Sequence, residues 1–294
     1  MSCLIETFDE YVLSFIFSFL DSRNLLPLFE TSKLTYNLLK KLVFLDRIQI
    51  KIPYTHSIVE YCSDDLSYFK WVEKHKFYSK KIPKFAGRYG NFKLLKYLIK
   101  NNYKVNYSDT FYELCQNNNM KILKYLSKHT LDNDLTKLNE SVFRAAGESG
   151  NIDIVKFLYK NDCPFDCTAL YGACYSGNLK VVKWMVYNCF PFGRYIYHHA
   201  ASEGHINILN YLYELTKNDL SYPWWDESVC TSAAENGQFE TLKWLRSKQC
   251  PWNILTLYST LETYPNSLEM FKWAYENNCP KDDNITELYN SLRN

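Results

Sequence analysis

From about residue 60 to the C-terminus one alternation of apolar and polar positions recurs. Small apolar pairs come first, as at Ala145 and Ala146, Ala200 and Ala201, and Ala233 and Ala234. A glycine follows, then Asn, His or Gln, then a stretch with apolar residues on one helical face, such as Ile152, Ile154, Val155, Phe157 and Leu158. Small side chains let a short helix pack closely on its neighbours. Glycine ends a helix in a left-handed conformation at no steric cost. The i, i+2/i+3, i+5/i+6 spacing predicts a second helix with one buried face. A polar loop carrying Cys163-Pro164-Phe165 or Cys250-Pro251-Trp252 closes the unit, where proline bars further helix.

Anchoring each copy on the turn residue gives Asp64, Gly90, Asn118, Gly150, Gly177, Gly204, Gly237 and Asn266. The gaps are 26, 28, 32, 27, 27, 33 and 29 residues. Neither helix of such a unit can bury its face alone, so about eight units are expected to stack into a helical solenoid.

Residues 1–55 follow a different pattern. Apolar runs separated by Asp21–Asn24 and by Thr31-Ser32 predict three helices, with Pro27 in the first turn of the second. Apolar residues fill 23 of the 43 positions from 8 to 50. A segment of ~40 residues rarely buries such a surplus within itself. Each Leu or Phe left in water forfeits ~1.5–3 kcal/mol. The segment is therefore expected to lie on another surface, either as a cap on the repeats or against a partner protein. The domain division is 1–55 and 56–294.

The repeating unit, with Gly150–Leu158, Gly177–Met185 and Gly237–Leu245 as its best copies and the Cys-Pro-Trp/Phe loops after them, resembles the ankyrin repeat in a short form found in giant-virus and protist arrays. It departs from the family at the start of the first helix. Thr168-Ala169-Leu170-Tyr171 is the nearest approach to the usual Thr-Pro-Leu-His. The N-terminal residues resemble an F-box, through Ile16-Phe17-Ser18-Phe19-Leu20-Asp21, Asn24-Leu25-Leu26-Pro27-Leu28 and Thr31-Ser32-Lys33 in that order. The usual opening Leu-Pro is replaced by Thr7-Phe8-Asp9-Glu10. The resemblances imply an all-α chain that performs no chemistry. A Skp1-type ubiquitin-ligase subunit would dock on Phe8, Ile16, Phe17, Leu20, Leu25, Leu26 and Leu28, and the ankyrin array would hold a protein substrate. The other reading is an ankyrin scaffold or inhibitor whose N-terminal helices only cap the stack.

Composition narrows the alternatives. The 294 residues carry 34 Lys/Arg against 32 Asp/Glu, a net charge of +2, which excludes a globally basic nucleic-acid binder. Ten scattered cysteines without a Cys-x-x-Cys pair read as reduced thiols, hence a cytoplasmic or nuclear setting. The acids Glu6, Asp9 and Glu10 argue against a signal peptide, and residues 12–20 are too few to span a bilayer. A monomer, apart from its partners, is expected.

Chemistry-bearing motifs are missing. The sequence has no His-Glu-x-x-His, no zinc-finger spacing, no Gly-x-Ser-x-Gly and no phosphate loop, so no metal, cofactor or catalytic residue is assigned. Residues 70–104 hold eleven Lys/Arg and one acid among eight aromatics, a composition able to meet phosphates and bases. Tyr97 falls at the aromatic position of the repeat, so the aromatics read as core and the lysines as wet faces. The last 73 residues lean acidic, ten acids against six bases, which gives the array a charge gradient. The loop aromatics Phe165, Phe192, Trp224, Trp225 and Trp252 are the candidate partner contacts. Their regular recurrence equally fits packing between repeats. Trp224 is the extra one, and is expected to be exposed.

Overall fold

The computed structural model describes residues 66, 69, 70, 73, 80–130, 134–219, 224–262 and 267–292. Segment 1–55, with Phe8, Ile16, Phe17, Leu20, Leu25, Leu26 and Leu28, lies outside them, as do the anchors Asp64 and Asn266. The described residues form fifteen α-helices and one 3-10 turn. The chain divides into two compact units, 1–106 and 107–294.

The first unit contains α1 (Ile82–Arg88) and α2 (Phe92–Lys100). Fully buried Phe69 meets the Tyr97 ring edge-on at 5.7 Å, and the Tyr97 hydroxyl donates to Glu73 at 2.8 Å. Bases of the 70–104 stretch lie over its own aromatics, Lys96 over Phe92 at 4.1 Å and Arg88 over Phe85 at 5.2 Å.

The second unit runs α3 (Tyr107–Gln116), α4 (Met120–Thr130), α5 (Ser141–Glu148), α6 (Ile152–Lys160), α7 (Cys167–Tyr175), α8 (Leu179–Tyr187), α9 (Ile196–Ser202), α10 (Ile206–Thr216), α11 (Glu227–Glu235), α12 (Phe239–Ser247), α13 (Ile254–Glu262), α14 (Ser267–Glu276) and α15 (Asp283–Ser291). Odd-numbered helices are the first members of repeats and even-numbered the second. First helices pack on first helices from α3 through α13, and α6, α8 and α10 pack in their own row. The long gaps of 32 and 33 residues contain α4 and α10, eleven residues each against nine in α6, α8 and α12, and the first gap also contains the 3-10 turn Leu135–Lys137.

Both turns of a repeat are closed the same way. Gly90, Asn118, Gly150, Gly177, Gly204 and Gly237 have positive φ, as the glycine pattern predicts. At Gly177 (φ 75°) the position is doubly restricted, because a Cβ would lie 2.5 Å from the His205 ring. The next residue both closes the first helix and opens the second. His205 N–H donates to Ala200 O, and Asn151 and Asn178 side chains accept from the first amides of α6 and α8. These residues also bridge repeats. Asn178 Nδ2 donates to Gly150 O at 2.7 Å, His205 Nε2 to Tyr175 O at 3.0 Å, and Gln238 Nε2 to Ser202 O at 3.1 Å.

The second turn lacks glycine. Asn102, Asp162, Cys189, Gln249 and Asn278 take the left-handed conformation instead. The residue after each donates back to the third-last helical carbonyl, as Cys163 does to Leu158 and Cys250 to Leu245. That geometry brings the donor's side chain over the helix end, where an apolar group is favoured. Cys163, Phe190, Cys250 and Cys279 occupy the place and are at most 2% exposed. The loop cysteine is thus a small apolar plug. All eight described cysteines are free thiols.

Candidate protein-binding face

The first helices α7, α11 and α13 begin on Asp or Asn caps, whereas α5 and α9 start after Glu140 and Tyr195 with no side-chain cap. Asp166 accepts from Thr168 N–H, Asp226 from Ser228 N–H and Asn253 from Leu255 N–H. Their inner residues, including Ala145, Ala146, Ala169, Ala173, Ala200, Ala201, Ala233 and Ala234, are fully buried. Glycine takes this close packing further between α5 and α7. A Cβ on Gly147 would meet Ala169 O at 2.4 Å, and one on Gly172 would meet Arg144 O at 2.4 Å.

One outward position of the first helix, six residues before the turn at Tyr171, His198 and Thr231 and taken by Tyr258 in α13, latches its repeat to the next. Tyr171 OH accepts from Tyr195 N–H at 3.4 Å, its ring end filling the space that Gly193 leaves. His198 Nε2 meets Ser228 Oγ at 2.5 Å, Thr231 meets Thr256 at 3.0 Å, and Tyr258 donates to Asp282 at 2.8 Å. Ser228 gives its own proton to Asp226, so His198 Nε2 is the donor and Nδ1 carries the lone pair. That buried Nδ1 has no partner among the described residues, and burial holds the His198 pKa below its usual value.

Tyr112 and Arg144 hold the same register with a different partner: Tyr112 reaches the next repeat through Glu148, and Arg144 bonds within its own helix. Both turn to Glu148. Arg144 Nε donates to Glu148 Oε1 at 2.7 Å, while Gln116 Nε2 and Tyr112 OH reach Oε2 at 2.7 and 3.3 Å. The Glu148 side chain is 14% exposed and the Arg144 side chain 47%. Arg144 is the one Lys or Arg in the first helices α3 to α15, against ten in the second helices α4 to α14. Beside it opens a pocket of about 320 Å³, lined by Gln116, Arg144, Glu148, Tyr171, Gly172, Tyr175 and His199. His199 lies against the Tyr171 ring at 5.0 Å. Burial, then the nearby Arg144 charge, lowers the His199 pKa. Burial raises Tyr171 to about 12, and burial followed by the Glu148 charge raises Tyr112. Tyr175 is 49% exposed at the rim.

The loop aromatics lie elsewhere. Phe165 stacks on Phe190 of the following repeat at 4.0 Å. Trp225 meets Tyr197, Tyr213 and Trp244 at 5.0, 4.9 and 6.1 Å. Trp252 meets Trp273 at 5.9 Å, with the Arg246 guanidinium 4.3 Å over its ring. Phe165, Trp225 and Trp252 form a ladder along the second helices, not a cluster at the Glu148 pocket. Phe192 is half-buried. Trp224, expected to be exposed, is half-buried too, because it sits where other loops carry proline and the adjoining Trp225 takes the ladder place. The sequence reading missed the pocket, whose residues lie about a repeat apart and match no motif. The lone Lys or Arg among the first helices α3 to α15 was a visible signal.

Among the described residues no three metal-donor side chains converge and no helix is long and apolar enough to cross a membrane.

A family model described as ankyrin repeats, in three copies, matches in four overlapping placements, residues 84–169, 111–191, 142–223 and 170–256. Together they cover 84–256, more than half of the chain. The crystal structure of the human ASB11 ankyrin repeat domain is similar at 15% identity and a TM-score of 0.44, covering 68% of this chain and 99% of that one. No curated protein sequence matches. The loop, helix and turn pattern and the family match agree, and no catalytic family is indicated: the chain belongs to the ankyrin-repeat family of protein–protein interaction scaffolds.

Proposed function

We propose that the chain is an adaptor, in which segment 1–55 docks a Skp1-type ubiquitin-ligase subunit while the ankyrin array holds a protein substrate on its first-helix face. The order Ile16–Asp21, Asn24–Leu28, Thr31–Lys33, placed ahead of a repeat array, carries the reading. The apolar surplus of residues 8–50 supports it, since that surface needs a cover. On the array side, Arg144 holds the position at which Tyr171, His198, Thr231 and Tyr258 bond the following repeat, yet it bonds only Glu148 of its own helix, and its half-exposed guanidinium is available to a partner. The scattered cysteines fit work in the cytoplasm or nucleus.

The test is a binding titration of the full chain against a Skp1-type protein, beside a Leu20→Asp/Leu28→Asp variant whose circular dichroism matches the parent. Submicromolar binding that the variant loses is the expected result. Absence of binding by the folded parent refutes the ligase link and leaves an ankyrin scaffold with N-terminal capping helices.

A further inference from the structure

The pocket beside Glu148 has a definite chemical bias. Its carboxylate is already served by three donors, Arg144 Nε, Gln116 Nε2 and Tyr112 OH. Other donors on the wall are uncommitted. Arg144 bonds Glu148 only through Nε, which leaves both terminal nitrogens of a half-exposed guanidinium. Among the described residues none bonds the ring nitrogens of His199 or the hydroxyl of Tyr175. Gly172 adds no side chain to the pocket, because the approach of α5 tolerates none. The wall therefore offers a forked cation, an imidazole and a phenol to one incoming group.

We propose that this pocket anchors a carboxylate side chain, Asp or Glu, of the bound partner polypeptide, with Arg144 and His199 as its donors and Tyr175 at the rim. The proposal deepens the reading of the first-helix face as the substrate receptor and rests on it. A guanidinium presents paired N–H groups that match the two oxygens of a carboxylate. Glu148 selects against a dianion: it cancels one charge of the site, so a phosphate would meet more repulsion than a carboxylate. A lysine or arginine from the partner would face Arg144 and find the Glu148 oxygens occupied.

The test uses the full chain with ring-labelled histidine, the His199 signal being assigned by its loss in His199→Gln. N-acetylglutamate α-amide is titrated, with N-acetylglutamine α-amide as the neutral match. Saturable movement of the His199 signal with the acid, at a Kd of ~1–20 mM, and none with the amide is the expected outcome. Arg144→Gln should weaken the acid at least ~10-fold. Glu148→Gln, which removes the competing anion and keeps Arg144, should tighten it ~3-fold. Equal response to acid and amide, no saturable response, or loss in both variants would overturn the proposal. Binding of a Skp1-type protein is a separate measurement and can fail while the pocket saturates. A partner held on the first-helix face with no change in Arg144→Gln would sink the pocket and spare the adaptor.

Discussion

Gly172→Ala separates local preference from packing. Alanine exceeds glycine in helix propensity by about 1 kcal/mol, so α7 by itself should gain. The neighbouring helix reverses the sign. The new Cβ would lie 2.4 Å from Arg144 O and 2.9 Å from Glu148 N, both backbone atoms that no rotamer change can move. Ordinary contact begins near 3.4 Å, so α5 and α7 must part by on the order of 1 Å, opening the fully buried Ala145, Ala146, Ala169 and Ala173 layer. Overpacking of this kind costs about 1–3 kcal/mol. With the obstacle rigid, the upper end applies, and subtracting the propensity gain leaves a loss of about 2 kcal/mol. For a unit of this size that is a fall in Tm of roughly 4–8 °C. Thermal melts by far-ultraviolet circular dichroism measure it, with amide exchange placing the loss in α5 and α7. Ser232→Ala, at the same register in α11, is the control and should stay within about 0.5 kcal/mol. A Gly172→Ala chain that melts at or above the parent would refute the packing argument, because propensity alone would then suffice.

Other consequences concern the latch and the loops. His198 and His199 have folded pKa values below the unfolded value, so the unfolded chain binds more protons and their stability contribution is present above pH ~6.5 and lost as pH falls through the folded values. Urea midpoints should drop on acidification below that point, less steeply in His198→Asn/His199→Gln; an unchanged slope would contradict the assignment. Cys189→Gly relieves a non-glycine residue at φ 59° and should raise stability by about 0.5–1 kcal/mol in the same melts. Phe190→Ala empties a 2%-exposed site stacked on Phe165 and should cost about 3–5 kcal/mol, with a loss under 1 kcal/mol showing that the ladder does not hold the repeats.

Much of this architecture is legible in the order of residues. The recurrence of small pairs, glycine and a 3.6-residue apolar stripe is enough for paired helices, left-handed turns at Gly90 through Gly237, and stacking, because every copy sees the same average surroundings. The second turn is harder to read. Asn102, Asp162, Cys189, Gln249 and Asn278 share a backbone conformation without sharing a side chain, since the carbonyl bond from the residue beyond holds it in place. The aromatic loops were open to two readings for the same reason: recurrence marks a position as used, not whether it faces water or a neighbouring ring.

What the chain order determines by itself is therefore the unit: two helices, their turns, the capped starts and the need to stack. What only tertiary structure decides is which members of different units meet. Gln116, Glu148, Tyr175 and His199 come from four repeats, and nothing local to any of them specifies a pocket. Gly147 and Gly172 look like helix weaknesses until α5 and α7 are brought together, where they become the condition for contact. Helical periodicity is enforced within one short stretch by backbone hydrogen bonding and burial. The chemistry of the binding face arises from side chains about a repeat apart, and the rise of the stack alone places them side by side.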